Sequence, residues 1–153
     1  MTPEITIRKT CIDDVRALVA NLRPDDAREC EKFGASPFKC IWRAYRTSKV
    51  CRSGFIGDRI VAIWGFNGSL LGFNGNVWLM SSNVADEIPF VFASIYRQEM
   101  RKMLKEYRTL EVFCDAAYTK SIKMMKIVGF KERESKPAYG GGLLVRMEME
   151  GQW

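Results

Sequence analysis

At 153 residues, 47% hydrophobic and 27% charged, the chain has the size and composition of one soluble globular domain over residues 1–153. It contains no histidine, which excludes Ser-His and Cys-His nucleophiles and removes the commonest general base. Five cysteines at 11, 30, 40, 51 and 114 form no Cys-x-x-Cys pair and no metal-ligand spacing, so they point to reduced thiols and no metal site. The net charge is +6, and the stretch from Arg97 to Lys136 holds eleven Lys/Arg against six Asp/Glu. That region is a candidate contact patch for DNA or an acidic partner, or a solvated helix face. No apolar run approaches the ~20 residues of a membrane span. Met1 to Lys9 lacks the apolar core of a secretory signal, so no signal peptide is expected.

In chain order, residues 4–8 alternate as a first strand, and Thr10-Cys-Ile-Asp13 resembles a capping box. Val15, Leu18, Val19 and Leu22 then mark one face of a helix. Pro24-Asp25-Asp26 opens a second helix, with its acids suited to the N-terminal dipole, and Gly34 ends it. Ser36-Pro37 starts a third, with Phe38, Ile41, Trp42 and Tyr45 on its buried face. Val50–Ile56 and Arg59–Phe66 flank Gly57-Asp58 as a hairpin. The Asn/Gly-rich segment 67–76 reads as a loop or bulged strand entry, and Val77–Met80 as a strand buried on both sides.

Pro89 begins the longest helix, with Phe92, Tyr96, Met100, Met103 and Tyr107 sharing a face. Leu110–Cys114 is strand-like. Ala117–Val128 is helical, closed by Gly129, with Tyr118, Ser121, Ile122 and Met125 on one side. Phe130–Glu134 and the alternating stretch from Leu143 to Glu150 complete the strands, and Ser135–Gly142 reads as mobile. The order β-α-α-α-β-β-β-α-β-α-β-β predicts an α/β domain whose mixed, mostly antiparallel sheet has helices on both faces.

Leu110-Glu-Val-Phe-Cys-Asp115, Ala117–Val128 and Gly129-Phe130-Lys131 resemble the closing strand, helix and Gly-Phe ending of the GNAT N-acetyltransferases. Ile5 to Asp14 resembles the family's first strand and helix entry. The resemblance implies a GNAT-like fold and an acetyl-CoA site, with the backbone of Leu79, Met80, Ser81 and Ser82 along the pantetheine arm. Lys120 or Lys123 would then meet the ribose phosphate. The family's pyrophosphate loop, Gln/Arg-x-x-Gly-x-Gly/Ala, falls on Ser82–Phe90, which has no glycine and carries Asp86 and Glu87. Two such acids repel a diphosphate, although they also suit a helix start. The family's Asn and acidic Tyr fall on Tyr118 and Met125. Tyr118, Cys114 and Glu111 remain as candidate catalytic groups, although a Tyr on a helix face and a strand cysteine ordinarily serve packing.

A narrower resemblance rests on Val77-Trp-Leu-Met-Ser-Ser82, the basic Arg97–Arg108 helix, Ile127-Val-Gly129 and Leu22–Glu29, which are similar to the internal virion protein A group of short-tailed bacteriophages. It implies a GNAT-like scaffold with a degenerate site and no cofactor. Such a protein would act by contact with other virion proteins, a host protein or DNA, in the host cytoplasm and the virion. The alternative is an acetyl-CoA-dependent N-acetyltransferase acting on a protein or small amine.

Overall fold

The computed structural model describes residues 4–68 and 73–151. Seven strands form one sheet: β1 (Thr6–Lys9), β2 (Val50–Ile56), β3 (Arg59–Gly68), β4 (Asn74–Ser81), β5 (Thr109–Asp115), β6 (Lys131–Pro137) and β7 (Leu143–Glu150). Their order is β1-β2-β3-β4-β5-β7-β6, and every neighbouring pair is antiparallel except β4–β5. Helices α1 (Ile12–Ala20) and α3 (Pro37–Thr47) cover one face; α4 (Pro89–Met103) and α5 (Thr119–Val128) cover the other. The short α2 (Pro24–Lys32) lies across the sheet's midline, joining residues of both halves. This is the mixed, mostly antiparallel α/β sheet expected from the order of elements.

The two apolar clusters follow the strand alternation. Trp64, Phe66, Val77, Leu79, Leu110, Val112 and Met147 meet Phe92, Tyr96 and Met100 of α4 and Ile122 and Met125 of α5. On the other face, Ile60, Ile63 and Met80 meet Val15 and Leu18 of α1 and Ile41 of α3. Each fully buried side chain of this kind contributes roughly 1.5–3 kcal/mol.

Several boundaries shift for local reasons. The capping acid of α1 is Asp14, which accepts a hydrogen bond from Cys11 N at 3.0 Å. Asp14 also pairs with Arg8 and with Ser53, so the interaction that fixes this turn extends into the sheet. Phe38, expected on the buried face of α3, is 40% exposed. Tyr107 follows the end of α4, and Tyr118 stands at the N-cap of α5 instead of within it. Gly129 ends α5 at φ +127°, a conformation that favours glycine.

The Asn/Gly-rich segment lengthens β3 to Gly68 and starts β4 at Asn74, while residues 69–72 lie outside the described residues. The segment expected to be mobile is partly strand: β6 runs to Pro137, and Gly140 N donates to Lys32 O at 3.1 Å, docking the β6–β7 turn on the end of α2. Among the described residues, no helix is long and apolar enough to cross a membrane.

Candidate active site

The one parallel pair makes the site. Strands β4 and β5 share register at only three positions, Asn74 with Thr109, Gly75 with Leu110 and Asn76 with Glu111. Both strands continue, to Ser81 and Asp115, but without pairing. A gap therefore opens in the middle of the sheet, and backbone groups that would have bonded across it need other partners.

Helix α2 supplies them at the wide end. The Asp26 carboxylate accepts from Ser81 N at 2.6 Å, and Arg23 N donates to Ser81 O at 3.1 Å. Glu29 accepts from Asp115 N at 2.9 Å. One helix thus bonds to the edge strands of both half-sheets through two acids spaced i, i+3 on its buried face. The Tyr118 hydroxyl donates to Asp26 at 2.6 Å, and Arg23 adds an ion pair at 3.2 Å. Burial pushes the Asp26 carboxyl up, against the pull of Arg23, Tyr118 and Ser81 N. Burial likewise raises the Tyr118 hydroxyl, and the Asp26 charge adds to the effect.

Between this seal and the apex at Asn76 and Glu111, the gap stays open. By strand alternation the N–H groups of Leu79 and Phe113 face it. A cavity of about 150 Å³ lies on the α4/α5 side, with Arg23, Asp86, Phe90, Tyr118, Lys120 and Lys123 in its wall. A second, of about 170 Å³, spans the gap, from Val77, Val112, Cys114 and Met125 on the α4/α5 side to Phe33, Trp78, Met80 and Phe113 on the opposite side. Leu79, Ser121 and Glu29 line both cavities, so the two meet through the gap.

Glu29 is the titratable group at that junction. Burial pushes its carboxyl up to about 8, opposed by the hydrogen bond from Asp115 N and reinforced by the charges of Asp26 and Asp115. Its Oε2 takes the Asp115 bond, while Oε1 has no hydrogen-bond partner among the described residues. A carboxyl in this state can accept a proton near neutral pH, the property a general base requires.

The residues singled out from the sequence are distributed unevenly around this gap. Leu79 is at its centre, and Met80 faces the second cavity. Ser81 contributes its backbone to the α2 seal, and its buried Oγ has no hydrogen-bond partner among the described residues. Ser82 lies outside both cavities, with its hydroxyl bonded to Ile60 O and Val84 N at the start of a 3-10 turn. Lys120 and Lys123 both line the first cavity.

Among the catalytic candidates, Glu111 sits at the apex and pairs with Arg146 at 3.6 Å. Cys114 lines the second cavity, and burial pushes its thiol up to about 12, which keeps it protonated and unreactive. Tyr118 is in the first cavity, committed to Asp26.

The acid expected to repel a diphosphate is neutralised. Asp86 pairs with Arg23 at 2.9 Å and with Lys120. Partial burial acts the other way, but the hydrogen bonds from Lys120 and Arg23 hold its carboxyl below the usual range. Glu87 pairs with Arg59. Lys123 has no ion-pair partner among the described residues, and α4 begins at Pro89 without a side-chain cap. The remaining basic residues of the Arg97–Lys136 stretch are spread over α4, the α4–β5 turn, α5 and β6, several in pairs such as Lys126–Glu132 and Arg133–Glu148.

Sequence reasoning missed Glu29 and Arg23, and treated Asp26 as a helix-dipole acid. The available signal was the i, i+3, i+4 spacing of Asp26, Glu29 and Cys30, all buried on one face of α2. On an otherwise charged nine-residue helix, acids at apolar positions are the clue.

No family model and no curated protein matches the chain. Solved structures do. An acetyltransferase of the GNAT family from Bacillus anthracis superposes with a TM-score of 0.71 at 10% identity, covering 98% of this chain and 97% of that one. An acetyltransferase of the GNAT family from Streptococcus pneumoniae gives 0.68 at 13% identity, over 97% and 100%. The aminoglycoside acetyltransferase AAC(6')-Ib, solved with coenzyme A, gives 0.71 at 11% identity, over 96% and 95%. At such identities the likeness speaks for architecture: this chain has the fold of the GNAT acetyltransferases.

Proposed function

We propose that the chain is an acetyl-CoA-dependent N-acetyltransferase acting on an amine, with Glu29 as its general base. The observation that carries this reading is the meeting of two cavities, from opposite faces of the sheet, at a buried carboxyl poised near neutral pH. A transferase needs two substrates brought together from separate entrances and a group to take a proton between them.

The first cavity suits the thioester arm. Leu79, Phe92, Ala93 and Met124 give it apolar walls, and Arg23, Lys120 and Lys123 give it a cationic rim for phosphates. Acetyl-CoA supplies, when bound, a thioester carbonyl carbon that accepts the amine and a thiol that leaves. The N–H groups of Leu79 and Phe113 face the gap as donors for that carbonyl. Glu29 takes one proton from the incoming ammonium through Oε1 and returns it to solvent. As the C–N bond forms and the C–S bond breaks, the amine's second proton ends on the released thiol.

A second reading is favoured by the Asp86 pair. With Arg23 and Lys120 already engaged, the scaffold would bind no cofactor and would act by contact. In that case the partners are virion proteins, a host protein or DNA through the Arg97–Lys136 region. Thiol release from acetyl-CoA, followed between pH 6.5 and 9.5 over a panel of amines, separates the two. The transferase reading expects amine-dependent release that rises through about pH 8 and is lost in Glu29→Gln. No release with any amine, in a protein that also fails to bind coenzyme A, leaves the contact role standing.

A further inference from the structure

The second cavity does not end at the gap. Phe33, Asn76, Trp78 and Met80 also line a trough of about 330 Å³ that runs to Ile41 and Ala44 of α3. Together the cavity, about 170 Å³, and the trough reach the size range of small-molecule sites. Trp78 forms a fixed wall. Its ring packs so closely on Gly65 that a Cβ there would lie 2.1 Å from Nε1, and Nε1 donates to Ser48 Oγ at 2.8 Å. Phe33 stands at the mouth, 40% exposed.

The charge distribution is the decisive feature. Among the described residues, no charged side chain lines the trough, and Glu29 is the single charged residue lining the cavity beside it. A lone carboxyl at the inner end of an uncharged hollow complements one cation and no more. A second ammonium placed in the trough would give up hydration against apolar walls and find no charged partner there.

We propose that this trough holds the apolar body of the acceptor, which is a primary amine with one positive charge and an aromatic or branched hydrocarbon body, its ammonium against Glu29. The inference rests on the transferase reading for its chemistry, but not for the binding itself. It excludes polyamines and other polycations as preferred acceptors.

Calorimetry without cofactor tests it, using tryptamine and spermidine as probes against wild type and Ala44→Phe, a substitution at a half-buried trough position. Tryptamine is expected to bind at least tenfold more tightly than spermidine, and Ala44→Phe to weaken it at least fivefold while coenzyme A binding stays unchanged. Tighter binding of spermidine, no binding of tryptamine, or indifference to Ala44→Phe would overturn the proposal. A separate coenzyme A titration reports on the transferase reading, so the two can fail independently.

Discussion

Glu29 and Asp115 are joined by a 2.9 Å hydrogen bond across 86 residues of sequence, from the buried face of a short helix to the end of a central strand. This contact brings a titratable group into the gap between β4 and β5, and the first expectation follows from it. The folded carboxyl titrates near 8, whereas an ordinary glutamate titrates near 4.5. Between those values the native state binds more protons than the unfolded chain, so stability falls as pH rises through that window. Glu29→Gln keeps an acceptor for Asp115 N and cannot ionise. Its stability relative to wild type should increase from pH 5 to about 8 and then level off, as urea unfolding at a series of pH values would record. Turnover should fall about 10²–10⁴-fold in the same variant.

Asp86 competes with phosphate for Arg23 and Lys120. Asp86→Asn frees Lys120 and leaves Arg23 with Asp26 as its remaining acid, and coenzyme A should bind about five- to tenfold more tightly at low salt. The gain should shrink at 0.5 M salt, where the screening length falls to about 4 Å. Unchanged affinity would mean that phosphates do not approach these residues.

The Tyr118 hydroxyl is committed to Asp26. Tyr118→Phe removes one of the bonds to a buried carboxylate and should cost about 1–3 kcal/mol in urea unfolding. Turnover should stay within several-fold of wild type, because the hydroxyl acts on Asp26 and not on substrate. A hundredfold loss with coenzyme A affinity intact would instead make it a proton donor.

Cys114 is held protonated by burial, its thiol pushed up to about 12. Cys114→Ala should leave turnover unchanged and cost about 1–2 kcal/mol from the small cavity beside Met147. Loss of activity at wild-type stability would point to a covalent acyl-cysteine instead.

Most of the fold was legible from period and from start and stop residues: Val77–Met80 as a buried run, Phe92–Tyr96–Met100 as a helix face, Pro24 as a start and Gly129 as a stop. A cofactor arm along Leu79–Ser82 was foreseen only through resemblance, since nothing in Val77–Met80 or Leu110–Cys114 states that their pairing ends at Asn76 and Glu111. Glu29 was not foreseen. Its role depends on the placement of α2 across two half-sheets, and acids on a short helix ordinarily face water. Asp86 illustrates a different limit. Its charge was visible, but the partners that neutralise it are Arg23, 63 residues earlier, and Lys120, 34 residues later.

On the proposed reading, the cavity beside α4 and α5 takes coenzyme A and presents a thioester to Glu29. Isothermal titration of coenzyme A into the wild-type chain tests it most directly. Saturable binding at one site per chain is expected, weakened in Lys123→Ala. No heat of binding at millimolar coenzyme A, with the protein folded throughout, would contradict it.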